Sequence, residues 1–123
     1  MTISSFQKLD VWNLAKELAI SIYKLTLQNS NFQSDKRLVS QLCSSALSIP
    51  SNIAEGDELM SIKQSLRHFY IARGSCAELK TQLIISYEVG FINKSELEEL
   101  DKRCTQISKM LYRLIEARTK MMT

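Results

Sequence analysis

A chain of 123 residues, 45% of them hydrophobic, is long enough for one domain with a sizeable core and short for two. Sixteen basic residues against thirteen acidic ones leave a net charge of +3, which permits contact with nucleic acid without demanding it. The N-terminal MTISSFQKLDVW lacks a basic start followed by an apolar stretch, and aliphatic runs elsewhere are short, so a cytoplasmic protein with no membrane contact is expected.

From Leu9 to Leu27, the residues Val11, Leu14, Ala15, Leu18, Ile22 and Leu25 recur at helical spacing opposite Asp10, Asn13, Glu17 and Lys24. This pattern predicts a first amphipathic helix. Trp12, Ala19 and Tyr23 add a flanking strip, and an apolar arc wider than one core face needs implies burial on two sides. After the polar stretch Gln28 to Ser34, a second helix carries Leu38, Val39, Leu42, Cys43, Ala46, Leu47, Ile49, Ile53 and Ala54. That stripe keeps its phase across Pro50, which predicts a helix kinked there; a helix that stops at Ile49 and restarts at Pro50 is the competing reading. Ser45, Ser48 and Ser51 can offer hydroxyls to the loosened backbone, and Gly56 is placed to end the helix in a left-handed cap.

The third helix opens at Ser61, with Gln64 three residues on as a capping box. It carries Leu66, Phe69, Tyr70, Cys76, Leu79, Leu83 and Ile84, and ends at Gly90. Inside it Ala72, Gly74, Ser75 and Ala77 form a cluster of small residues. Glycine there costs about 1 kcal/mol against alanine, and close approach of another helix is the expected return. The fourth helix starts with a second capping box, Ser95 with Glu98, and buries Leu97, Leu100, Cys104, Ile107, Leu111, Leu114 and Ile115. Four long amphipathic helices with short connections predict an all-α fold. The expected form is an antiparallel up-and-down four-helix bundle filling residues 1–123 as one domain.

Reactive constellations are missing from this pattern. His68 is the single histidine, and the carboxylates Glu96, Glu98, Glu99 and Asp101 crowd the start of the fourth helix, where negative charge suits the helix dipole. They do not follow the Glu-x-x-His spacing of a bundle metal centre. Cys43, Cys76 and Cys104 are widely spaced and lie on apolar faces, which predicts free thiols rather than a disulfide framework or a metal cluster. Three glycines are too few for a phosphate-cradling loop. A non-enzymatic protein without catalytic residues, metal or cofactor is expected.

Charge placement is more informative. Lys102, Lys109, Arg113 and Lys120 fall within a narrow arc of the fourth helix, and Lys63 and Arg67 lie one turn apart on the third. Such a row can track phosphates, which makes RNA or DNA a candidate partner. A solvated outer face, with cations gathered toward the negative end of the helix dipole, is the plainer alternative.

Five segments, LDVWNLAKELAISIYKLT (9 to 26), LVSQL (38 to 42), SIPSNIAEG (48 to 56), FYIARGSCAELKTQL (69 to 83) and YEVGFINKSELEEL (87 to 100), together resemble a known family. It comprises small bacterial four-helix bundle proteins first noticed as reading frames in intervening sequences of 23S ribosomal RNA genes, and includes the accessory variability determinant of diversity-generating retroelements. The resemblance implies a homopentamer around a central channel, with Trp12, Ala19, Tyr23 and Gly74 as subunit contacts. It also implies that Pro50 to Gly56 is a kink-and-turn leading into the third helix, fixed by hydrogen bonds from Asn52 and Glu55. Retroelement members bind nucleic acid and a partner reverse transcriptase, so an accessory role of that kind is the second expectation, and a small-molecule site in the channel the third. Two departures remove positive charge. QLCSSA stands where members commonly read QLRRAA, and Asp57, Glu58 and Leu59 follow NIAEG where members often carry FGR.

Overall fold

The computed structural model describes residues 4–122. Four helices, α1 (Asp10–Gln28), α2 (Lys36–Glu58), α3 (Ile62–Glu88) and α4 (Lys94–Thr119), are accompanied by short 3-10 turns at Ser5–Lys8 and Ser30–Ser34. Among the described residues there is no strand. Each helix packs on its neighbours in the chain, and α1 closes on α4, so α2 and α4 sit diagonally across the bundle. Leu18, Ile22, Leu42, Ile49, Ile53, Leu79, Leu83, Ile107 and Leu111 fill the space between them, the residues that helical periodicity assigns to the inner faces.

Helix α2 runs through Pro50 without a break, which removes the stop-and-restart reading. A proline in a helix interior costs about 3 kcal/mol, whereas burying an isoleucine side chain returns roughly 1.5–3 kcal/mol. Ile49 and Ile53 are both fully buried, and only a continuous register keeps both in the core. The serines near the proline act elsewhere: Ser45 accepts from Gln82 Nε2 at 2.9 Å, and Ser48 and Ser75 share a 2.7 Å hydrogen bond. Their hydroxyls therefore bind α2 to α3.

Three local expectations are corrected. Gly56 is not a left-handed cap: α2 continues to Glu58, its C-cap is Leu59 at φ −77°, and the positive-φ residue among those described is Gly90 at +83°. Gly56 is buried instead against Phe69, and a Cβ built on it would lie 2.5 Å from Phe69 Cε1. The chain therefore turns at Leu59 to Ser61 rather than within Pro50 to Gly56. Helix α4 is capped by Asn93, not Ser95, with Asn93 Oδ1 accepting from Glu96 N at 2.8 Å and Glu96 Oε1 accepting from Asn93 N at 2.9 Å. Of the capping box expected at α3 the Ser61 half is present, Ser61 Oγ accepting from Gln64 N, and Gly90 follows the last residues of the helix.

Both ends of the bundle are tied across the chain. At one end the Phe91 carbonyl accepts from Asn29 Nδ2 at 2.7 Å and from Asn31 Nδ2 at 3.2 Å, with the Phe32 and Phe91 rings edge to face at 5.3 Å. At the other, Asp57 accepts hydrogen bonds from Ser5 Oγ and from Arg118 Nη2, the latter at 3.0 Å. The Arg118 guanidinium also lies over the Phe69 ring, 5.5 Å from its centre.

Candidate functional site

The widened apolar arc of α1 lines an open groove against α2. Its volume is about 480 Å³, and Phe6, Trp12, Ala19, Ile20, Tyr23, Leu47, Pro50 and Ala54 form most of the wall. Phe6 meets Trp12 edge to face at 5.1 Å, and the Lys16 ammonium lies 5.4 Å from the Trp12 ring centre. Leu47, assigned to the core by its spacing, is instead half exposed on this wall. The structure thus brings Trp12, Ala19 and Tyr23 together with the outer side of Pro50. Gly74 does not join them. It is exposed on α3, and a Cβ added to it would meet nothing within 4 Å, so within the chain no helix makes the close approach expected there.

The SIPSNIAEG segment supplies a polar chain between α2 and α3. Asn52 Nδ2 donates to the Ser48 carbonyl at 2.9 Å and to Ser48 Oγ at 3.1 Å, while Asn52 Oδ1 is 2.9 Å from His68 Nδ1. An amide oxygen only accepts, so Nδ1 carries the proton. Glu55 stands 3.5 Å from the same nitrogen and is largely exposed. Gln82, which donates to Ser45 one turn before Ser48, has a buried Oε1 that meets no donor among the described residues.

Lys102, Lys109, Arg113 and Lys120 are all exposed along the crest of α4, and Lys63 and Arg67 are exposed on α3. Among the described residues, none of the six has a carboxylate within ion-pair distance, whereas Lys80, Lys94, Arg103 and Arg118 do. Lys63 and Arg67 border a shallow depression with Leu66, Tyr70 and Ile71, separate from the α4 crest. Asp57 has a role that its sequence context hides, since its carboxylate is nearly buried and paired with Arg118. The only sequence signal was a basic residue in the last turn of α4, 61 positions away.

No group of three or more histidine, cysteine or acidic side chains that could hold a metal ion occurs among the described residues. The cysteines are free; burial pushes the Cys76 thiol up to about 11, and burial, with Cys76 nearby, pushes Cys104 up to about 12. Such thiols are protonated at neutral pH and poor nucleophiles. No helix is long and apolar enough to cross a membrane among the described residues.

A family model described as 23S rRNA-intervening sequence protein matches residues 7–113. The chain belongs to this family. A crystal structure at 1.70 Å of a protein of unknown function from the S23 ribosomal protein family, from Bacteroides thetaiotaomicron, is 25% identical with a TM-score of 0.80. The match covers 85% of this chain and 97% of that one. No curated protein matches.

Proposed function

We propose that this member of the 23S rRNA-intervening sequence family is a non-enzymatic assembly protein that works as a homopentamer and touches RNA or DNA weakly. The observation that carries the assembly is the α1–α2 groove, whose wall exposes Ile20, Tyr23 and Leu47 to solvent by 40 to 49%. Exposed apolar side chains gathered on one wall support reading the groove as a site of association. Five copies is the number that the family resemblance implies. The test is native mass at micromolar concentration, expected near five times 14.1 kDa. Leu47→Glu, a substitution at a half-exposed site, should release monomers that keep their helical content. A monomeric wild-type protein overturns the proposal.

A second reading, a nucleic-acid accessory protein, draws on the six cations without acidic partners. Phosphate contact by the four on α4 would give a salt slope of about −2.8 with single strands, at roughly 0.7 per contact, or about 50-fold weaker binding between about 50 and 200 mM salt. Lys109→Glu combined with Arg113→Glu should abolish that binding while native mass stays the same.

A further inference from the structure

The crest of α4 carries more than charge. Tyr112 lies beside Lys109 and Arg113 in the sequence and is half exposed. One of its faces is occupied from within the protein: the Arg73 guanidinium sits 5.4 Å from the ring centre. Arg73 is held in turn, because its Nε donates to Ser108 Oγ at 3.3 Å on the preceding turn of α4. A ring supported by a guanidinium is restricted in its rotamers, and so loses less entropy when a flat partner stacks against it. Glu116 is the acid nearest in sequence, one turn on along the same helix.

We propose that Tyr112, supported by Arg73, is a base-stacking platform beside the phosphate-tracking row, so that this surface takes single-stranded rather than duplex nucleic acid. The inference rests on the nucleic-acid reading above. The row from Lys102 to Lys120 spans about 27 Å at 1.5 Å per residue, long enough for several nucleotides of an extended strand. In a duplex the bases are already stacked on each other and the ring finds only backbone; a single strand turns a base toward it. Stacking recognises any base, so the strand sequence matters little.

The test is fluorescence anisotropy of the full-length protein with a labelled single-stranded RNA and with the duplex of the same sequence, at fixed salt and across a salt series. The single strand should bind at least fivefold more tightly. Tyr112→Ala should weaken single-strand binding by about five- to 150-fold, the range for loss of one stacked base. Its salt slope should not change, and Tyr112→Phe should keep the affinity. Equal affinity for strand and duplex, or an unchanged Tyr112→Ala variant, overturns the platform and leaves the charged row standing. Absence of binding to either probe overturns both. A fall in native mass for Tyr112→Ala assigns the ring to contact between copies and also overturns the proposal.

Discussion

Replacing Gly56 by alanine adds one methyl group where the ring of Phe69 already stands. The new Cβ would lie 2.5 Å from Cε1, 2.8 Å from Cδ1 and 3.1 Å from Cζ. Phe69 is fully buried and lies under the Arg118 guanidinium, so the ring cannot swing into solvent. Forcing extra volume into a packed core costs roughly 1–3 kcal/mol, and a contact this short belongs in the upper part of that range. Against it stands the gain from alanine over glycine in a helix interior, about 1 kcal/mol. The net expectation is a loss of about 1–2 kcal/mol, or about 4–8 °C in melting temperature for a domain of this size. Gly74→Ala is the matched control. It makes the same change in a helix with nothing within 4 Å, and should raise stability by about 0.5–1 kcal/mol. Thermal unfolding by circular dichroism reads both. If Gly56→Ala melts at or above the wild-type temperature, the close-approach account of this glycine is wrong. If Gly74→Ala instead lowers native mass, that glycine is a contact between copies.

Arg118→Met leaves the Asp57 carboxylate, 9% exposed, without its charged partner. A cost of about 2 kcal/mol is expected in urea unfolding, below the roughly 3–5 kcal/mol of a fully buried pair because Arg118 keeps some solvent contact. Adding Asp57→Asn should recover part of that loss, and fully additive losses would contradict a direct pair. Asn52→Ala removes the hydrogen bonds to Ser48 and His68 and should cost about 1–2 kcal/mol; a wild-type urea midpoint would show the polar chain to be ornamental. The raised thiols set an alkaline limit. Their folded values lie above the ordinary 9.0, so the native state holds protons that the unfolded chain releases, and their contribution is complete below about pH 9 and lost as pH rises toward 11 and 12. The stability difference between wild type and Cys76→Ala should therefore shift across that window, and at pH 8.5 iodoacetamide should modify Cys43 well ahead of Cys76 and Cys104.

The helices and core were legible because their information is local and periodic: Leu18 and Ile22, or Ile107 and Leu111, repeat within one or two turns. The features that the pattern could not place depend on partners far away in sequence. Nothing near Gly56 announces Phe69, so a glycine toward the end of a helical stripe reads as a cap. Asp57 reads as lost positive charge because Arg118 belongs to another helix. The start of α4 offers two acceptable caps, Asn93 with Glu96 and Ser95 with Glu98, and the choice follows from Ile92, which is buried and fixes where the helix begins. The α4 row could be read because Lys102, Lys109 and Arg113 lie on one helix and Lys120 stands at its C-cap. The Tyr112 and Arg73 pair joins two helices and has no signature in either.

The ties at the two ends of the bundle bear on how it opens. Asn29 and Asn31 bind the α1–α2 connection to Phe91 in the α3–α4 connection, and Asp57 joins the end of α2 to Arg118 near the end of α4. The molecule can be drawn as two helical hairpins laid side by side, and such hairpins ordinarily peel apart as separate units. Here neither hairpin can leave without breaking a bond at each end, which favours opening in a single step and leaves little room for a half-opened state in which one hairpin stays folded alone. Backbone amides deep in α1 and in α4 would then exchange with solvent at a common rate, set by the whole bundle rather than by the helix that carries them.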